Sequence, residues 1–460
     1  MTISHKNRHD PPIQITVNDG GEGMQRVYTS GEIVSGTVRV DARTKTTRVS
    51  IDFTGSTTTR VSKNNGQYRQ VLKARVNLFR LSSVLYSGGD IESLSSADNP
   101  FVSFPFTFRF PHEVRLAANK RFEKSHAFEH QPGHPLPPTL RVDVRNTGGC
   151  PCTIQYSLEA TMANSSSKRF SFHNQKQALR VLNFTPAYNN NNYYYNNSTA
   201  SATPDPHPAS STSRFTRHSH RLDPECSAAH HNGVRARLKD AFPSSKDPSA
   251  TFAITTTAPT LVRAGAGAGA GPSSFPITLT LAHRDRSPEL QAAEPPPVFL
   301  RRFRAALEAR TRIRVPYASL TGARDIEASQ TNAYVLGERR FGGSGRSGDD
   351  APPLPADGTP LGLEGLAEGQ GRAWRLGKDV APTFRTYGIA RTYALRVALW
   401  VECAGKVFEV KDAAPGHAVR VLAWPDAVEA EGADGLAGTG EGGGVEDAGE
   451  GAGEPPDFVP

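Results

Sequence analysis

The chain has 460 residues, of which Gly (42) and Pro (35) make up about 17% and only 37% are hydrophobic. Average usage puts Gly plus Pro near ~12%, so folded material is mixed with stretches that cannot bury enough apolar area to offset ordering entropy. The net charge of +8 hides a split: residues 426–460 carry ten acidic and no basic side chains, leaving 53 basic against 35 acidic before them, a body of +18. Such a body attracts acidic partners: anionic lipid, phosphorylated peptide or nucleic acid. No run approaches the ~20 apolar residues of a membrane-spanning helix. The four cysteines (Cys150, Cys152, Cys226, Cys403) are too few for a disulfide scaffold and fit a reducing compartment.

Residues 1–12 hold charges and prolines without the apolar core of a secretory signal, and are expected to be disordered. From 13 to 182 the chain reads as strands. Ile13, Ile15 and Val17 alternate with polar residues, as do Val49, Ile51 and Phe53. Phe104, Phe106, Phe108 and Phe110 form another such run, and Cys152, Ile154, Tyr156, Leu158, Ala160 and Met162 a longer one. A period of two marks half-buried antiparallel strands. Turn clusters separate them: Asn18-Asp19-Gly20-Gly21, Asn64-Asn65-Gly66 and Asn146-Thr147-Gly148-Gly149. Residues 183–250, with poly-Asn, Tyr, Ser, Thr and Pro, read as a disordered linker. Strand patterning resumes over 251–425, with Ile277, Leu279 and Leu281, then Tyr393, Leu395, Val397, Leu399 and Val401. Within it, 337–358 reads as a loop insertion, and 264–271 (AGAGAGAG) as a flexible turn. The segment 298–315 is ambiguous: Phe299, Phe303 and Leu307 follow helical spacing, while Thr311, Ile313 and Val315 alternate like a strand. The tail 426–460 is acidic, Gly-rich and expected to be disordered. Many short strands with turns between them indicate an all-β fold of sandwiches or barrels.

Several segments together resemble the arrestin-like family, in its fungal α-arrestin branch. Tyr28, Gly31, Glu32 and Gly36 stand in Val27–Val40 as in an early family hairpin. Phe106 stands in a strand similar to the family's F-x-F-x-x-P. Leu136, Pro137 and Pro138 form a turn like its LPPS, followed by a strand around Tyr156. Pro382, Phe384, Tyr387, Arg391 and Tyr393, then Gly405 and Lys406, match a block of the second half. The resemblance covers roughly 13–182 and 250–424. It implies two antiparallel β-sandwich domains joined by the linker, and it turns 298–315 toward strand.

The resemblance also implies a non-enzymatic adaptor without cofactor or metal. Its partners would be cytoplasmic tails of membrane proteins, often phosphorylated, with HECT-type ubiquitin ligases recruited directly or through another adaptor. The place would be the cytoplasm, with peripheral recruitment to plasma membrane or endosomes. Family members reach ligases through PPxY motifs, and this sequence has none. The nearest candidates are Pro186 and Tyr188 in the linker. Basic residues suited to charge-assisted bonds with phosphate or acidic tails are Arg39, Arg48, Arg60, Lys63, Arg69, Lys73 and Arg75.

Other function classes lack parts. There is no G-x-S-x-G elbow, Walker loop or His-Glu-x-x-His motif. His126, His130 and His134 precede Cys150-Pro151-Cys152, but Cys-x-Cys is tighter than the usual structural zinc spacing, so no metal is expected. The alternative is a basic protein binding nucleic acid or anionic lipid, resting on Arg301, Arg302, Arg304, Arg310, Arg312 and Arg314. As a helix these would form an electrostatic footprint; as strands they would spread over a sheet face. No nucleic-acid partner is expected.

Overall fold

The computed structural model describes residues 11–19, 26–44, 46–64, 69–95, 100–118, 122–144, 150–163, 176–186, 208–223, 244, 247–264, 276–319, 322–342, 351–367, 376, 380–411 and 417–423. The first half builds nine strands: β1 (Ile13–Val17), β2 (Val27–Tyr28), β3 (Ile33–Asp41), β4 (Arg48–Asn64), β5 (Arg69–Ser87), β6 (Phe101–Arg109), β7 (Leu140–Val144), β8 (Cys150–Ala163) and β9 (Lys176–Phe184). They form a three-stranded sheet, β1-β3-β6, and a six-stranded sheet, β2-β9-β8-β4-β5, with β7 also on β8. Inward residues of both sheets make one core, including Val38, Phe53, Phe79, Phe110, Tyr156 and Phe184. The alternation read from sequence is the burial pattern: Cys152, Ile154, Tyr156, Leu158, Ala160 and Met162 are all buried. Gly36 is required by packing, since a Cβ there would lie 2.1 Å from the Thr16 carbonyl oxygen of the neighbouring β1.

The second half holds β10 (Ala209–His218), β11 (Ser249–Ala258), β12 (Leu261–Ala264), β13 (Thr278–Arg286), β14 (Val298–Ser319), β15 (Gly322–Arg340), β16 (Pro360–Gly362), β17 (Phe384–Arg385), β18 (Ile389–Cys403), β19 (Lys406–Val410) and β20 (His417–Ala423). A short helix, α1 (Leu363–Ala367), follows β16. One sheet runs β10-β11-β13-β16; the other runs β12-β20-β18-β14-β15, with β17 and β19 on β18. The pairings are antiparallel except β2 with β9 and β12 with β20. The fold is therefore all-β, with two sandwiches. The first core also takes Ile313 and Val315 from β14 together with Tyr387 and Ile389, so the two halves share a packed seam. All the described residues fall in one compact unit, Met1–Trp424.

One ambiguity resolves as the resemblance implies, and three expectations change. Residues 298–315 are strand throughout, within β14. A bulge between Leu300 and Arg302 shifts the buried set from Val298 and Leu300 to Phe303, Ala305, Leu307 and Ala309, so no single period of two runs through the segment. The linker expected over 183–250 gives way at both ends and at 209–218. There β10 pairs with β11 over ten positions. A Ser/Thr-rich edge strand needs only one apolar face: Phe215 packs on Phe252 and Phe408, and Thr212 and Thr216 hydroxyls meet Thr255 and Thr251. The insertion expected over 337–358 is ordered at its ends. β15 continues to Arg340, while Ala351 and Leu354 are buried in the second core. Leu354 donates its N–H to the Val298 carbonyl at 2.7 Å. Last, the early hairpin is not a hairpin. Gly31 makes its turn at φ +80°, but β2 pairs with β9 and β3 with β1 and β6, in different sheets. Tyr28 must bury against Phe110, which pulls β2 away from β3. Residues 187–207, 224–243 and 245–246 of the linker, 265–271 of the AGAGAGAG run, 343–350 of the insertion, residues 1–10 and the tail 426–460 lie outside the described residues.

Candidate functional site

The family-motif residues are structural supports. Glu32 accepts from the Thr29 N–H at 2.8 Å and pairs with Arg26, closing the turn at Gly31. Phe106, Leu136, Pro137 and Pro138 are buried, and the Tyr156 hydroxyl donates to the Pro137 carbonyl at 2.5 Å. Burial pushes the Tyr156 phenol well above its ordinary pKa. Pro382 is buried, Phe384 packs on the first core, and the Arg391 guanidinium donates to Tyr393 and Tyr334 hydroxyls at 2.8 and 2.7 Å. Gly405 turns at φ +77°, and Lys406 lies over Phe408 at 5.2 Å. None of these side chains forms an open site.

The basic candidates divide. Arg39 lies on β3 in the smaller sheet, its guanidinium 4.6 Å over the Phe101 ring. Arg48 opens β4, exposed, twelve residues before Arg60. At ~3.3 Å per residue that separates them by roughly 40 Å. Lys63 and Arg69 lie in β4 and β5, opposite Gln70 and Asn64, and their side chains lie outside the described residues. Pro186 is half-buried at the end of the first half, and Tyr188 lies outside the described residues.

Three candidates come together. Arg60 and Lys73 are direct cross-strand partners, and Arg75 follows two residues on along β5, opposite Thr58. All three sit on the outward face of the six-stranded sheet, because the odd-numbered β4 residues Val49 to Val61 and the β5 residues Ala74 and Val76 take the inward one. Directly opposed side chains have Cβ atoms ~5 Å apart, and like charges there destabilise the pair. Among the described residues no carboxylate is paired with any of the three. Two acids of this face are Asp52, about 26 Å from Arg60 along β4 and held by Arg80 at 2.7 Å and the Ser82 hydroxyl at 2.5 Å, and Asp143, exposed on β7 opposite Pro151. Sequence reading missed a fourth cation. Arg141 on β7 is exposed and sits opposite Thr153, which is opposite Thr58, so Arg141, Thr153, Thr58 and Arg75 share one row. Three strand spacings of ~4.8 Å place the two guanidinium-bearing residues about 14 Å apart. Clustered cations with hydroxyls between them form an electrostatic footprint for oxyanions or carboxylates.

One residue before Arg60 the same strand is tied to the second half. Thr59 donates its hydroxyl to the Arg314 carbonyl at 3.1 Å. The Arg314 side chain is fully buried. Its guanidinium donates to the carbonyls of Tyr387 (2.6 Å), Glu123 (2.6 Å) and Glu129 (3.2 Å), and to Asp325 Oδ2 (3.2 Å). Phe122 and Phe128 flank it at 4.6 and 4.4 Å. Burial lowers the Arg314 pKa and raises that of Asp325, and their mutual attraction opposes both shifts. The loop between β6 and β7 is thereby strapped across the seam. Tyr387 donates its hydroxyl to the Leu116 carbonyl at 2.9 Å, and Arg385 donates to the His126 carbonyl at 3.1 Å. His134 Nδ1–H donates to the Gln131 carbonyl at 2.8 Å, leaving Nε2 to accept the Thr386 hydroxyl at 3.2 Å. Burial holds its imidazole pKa down at about 4. No sequence signal marks this node, because its partners lie far apart along the chain and most are backbone carbonyls.

The arginine cluster of 301–314 is largely neutralised. Arg301 pairs with Glu402 at 2.6 Å, Arg302 with Glu338 at 2.6 Å and Arg304 with the same Glu338 at 3.8 Å; Arg314 is buried. Only Arg310 and Arg312 remain without a carboxylate among the described residues. Cys152 lies in the first core and Cys403 in the second, where burial pushes the Cys403 thiol up to about 11. Among the described residues no helix is long and apolar enough to cross a membrane.

No curated protein matches the chain. Residues 19–185 match the family model of the arrestin (or S-antigen) N-terminal domain, the stretch that holds β2 to β9 and every one of the clustered cations. The first half of the chain is therefore similar to the arrestin N-terminal domain.

Proposed function

We propose that the protein is a non-enzymatic adaptor of the α-arrestin type that binds acidic or phosphorylated cytoplasmic tails of membrane proteins through Arg60, Lys73 and Arg75. It works in the cytoplasm and is recruited to plasma membrane or endosomes by that cargo. The observation that carries the reading is the directly opposed Arg60–Lys73 pair with Arg75 beside it, all without a carboxylate among the described residues. A like-charged pair facing solvent is relieved by an anion, and an extended tail can offer several. A second surface that holds a trafficking partner, such as a ubiquitin ligase, would then raise the effective concentration of partner at cargo. The absence of PPxY makes the ligase contact indirect in this reading, through another adaptor.

Pull-down with the full chain tests the reading. Phosphorylated membrane-protein tails should be retained and their unphosphorylated forms should bind more weakly. WW-domain ligases should be absent from the purified complex and appear only when cell extract supplies a bridging protein. Equal retention of both tail forms would overturn the charge-based reading, and direct capture of a purified WW-domain ligase would overturn the indirect link. The rival reading, nucleic-acid binding, predicts tight duplex binding that a salt-titrated gel shift would reveal. The neutralised 301–314 cluster argues against it.

A further inference from the structure

Three large apolar side chains are exposed side by side on the outward face of the six-stranded sheet. Leu179 and Val181 stand two residues apart on β9. Val27 of β2 is the cross-strand partner of Asn183, the next outward residue of β9. Leu179 is 61% exposed. Single exposed apolar residues need no explanation, but a contiguous group marks an interaction surface.

This group lies in line with the cationic row. β7 and β9 both pair with the side of β8 that faces away from β4, β7 over Cys150–Ile154 and β9 over Tyr156–Met162. They meet end to end: Thr139 donates its N–H to the Phe184 carbonyl at 2.9 Å, and its hydroxyl oxygen accepts the Phe184 N–H at 2.9 Å. Arg141 lies opposite Thr153, Val181 opposite Ser157 and Leu179 opposite Glu159. Counting along β8 at ~3.3 Å per residue puts Val181 about 13 Å and Leu179 about 20 Å beyond Arg141. The face is also polarised. Arg60, Lys73, Arg75 and Arg141 gather at one end, while Glu159 and Asp52 stand in the row of Leu179 at the other. Asp143 lies beyond Arg141, on the side away from Val181.

We propose that Val181 and Leu179, with Val27 beside them, form an apolar subsite for the tail that the cationic row holds, an inference that rests on the tail-binding reading given above. An extended tail advances ~3.3 Å per residue and turns alternate side chains to the same side. With its phosphate or carboxylate at Arg141, its side chains four and six positions away reach Val181 and Leu179 on that side. The occupant is therefore an extended acidic tail that carries large apolar residues at those two spacings from an anionic one. Charge fixes which end is which. An anion set over Leu179 would meet Glu159 and the acid end of the face, whereas at Arg141 it meets the cations. The cations alone would accept any acidic tail; the apolar pair adds a demand on its sequence.

Fluorescence anisotropy with the full chain tests the proposal on two phosphoserine peptides of equal composition. One carries leucine four and six positions to either side of the phosphoserine. The other carries it five and seven positions away, where an extended chain turns it from the sheet. Wild type should bind the first peptide at least about fivefold more tightly than the second. The variant Leu179→Thr with Val181→Thr should lose that preference and keep its affinity for the second peptide. Both positions are exposed, and far-UV circular dichroism melts confirm that the variant is folded before it is scored. Equal affinity of wild type for the two phosphopeptides would overturn the subsite and leave the tail-binding reading standing. So would a preference that survives in the variant. Unphosphorylated forms of both peptides separate the two levels: if they bind as tightly as the phosphopeptides, the charge-based reading falls and the subsite falls with it.

Discussion

Replacing Arg314 by methionine removes the guanidinium while keeping a long unbranched side chain. Three carbonyls then lose this donor in a buried place, and the Asp325 carboxylate loses its guanidinium partner and keeps the Glu123 N–H at 3.0 Å. An orphaned buried acceptor costs about 1–3 kcal/mol, and removing one partner of a buried ion pair costs about 3–5 kcal/mol. The stacking of the cation between Phe122 and Phe128 is lost as well. The contributions overlap, since the strap can lift and let water reach its carbonyls. A net loss of about 4 kcal/mol is expected, and it should appear first as local opening of the loop between β6 and β7. That corresponds to roughly a thousandfold faster amide exchange, at ~1.4 kcal/mol per decade. Hydrogen exchange read by mass spectrometry over 122–134 and 385–389 measures it. Arg314→Lys, which keeps the charge but not the fork, should fall between. Exchange within tenfold of wild type over 122–134 in the methionine variant would refute the view that Arg314 holds the seam.

Other consequences follow from single groups. His134 titrates near pH 4 in the folded chain against about 6.5 unfolded. The unfolded chain therefore takes up a proton that the native one refuses, and stability falls as pH drops from about 6.5 to 4, by about 3 kcal/mol in total. His134→Gln should lose less stability than wild type between pH 7 and 4.5 in urea titrations; parallel losses would remove His134 from the account. Gly36→Ala drives a methyl into the Thr16 carbonyl oxygen, 2.1 Å away, and should destabilise by about 2 kcal/mol or more through displacement of β1. A melting temperature unchanged from wild type would contradict the packing described. Deleting 426–460 removes ten acidic side chains. It should tighten binding of acidic peptide at low salt if the tail competes for the basic body; unchanged affinity would make the tail a solubilising segment only.

The sandwiches were legible because burial in a β-sheet writes a period of two into the sequence, as over Cys152–Met162 and Tyr393–Val401. Where the period failed, a physical event interrupted it. The bulge after Leu300 shifts the phase of β14, so no single period of two runs through 298–315. Edge strand β10 looked like linker because hydroxyl side chains satisfy an exposed face as well as they do a loop. The turn at Gly31 was legible, but the sheets on either side of it depend on where Tyr28 buries. Of seven basic candidates, only pairing register could show that Arg60, Lys73 and Arg75 meet while Arg39 and Arg48 stand apart. Arg141 was invisible for the same reason. Arg314 stands in the sequence as one of a run of arginines with nothing local to distinguish it. Its burial depends on Glu123, Glu129 and Tyr387, residues that no local pattern links to it.

The cationic row on the β4–β5 face is the centre of the proposed function. Its most direct test is the affinity of a phosphorylated membrane-protein tail peptide for the full chain, read by fluorescence anisotropy across a salt series. The comparison is with the variant carrying Arg60→Gln, Lys73→Gln and Arg75→Gln, which also removes a like-charge pair and should fold at least as well. Wild type should bind with an affinity that falls as salt rises, and the variant at least about tenfold more weakly with a shallower salt dependence. Equal affinity and equal salt dependence in the two proteins would contradict the account.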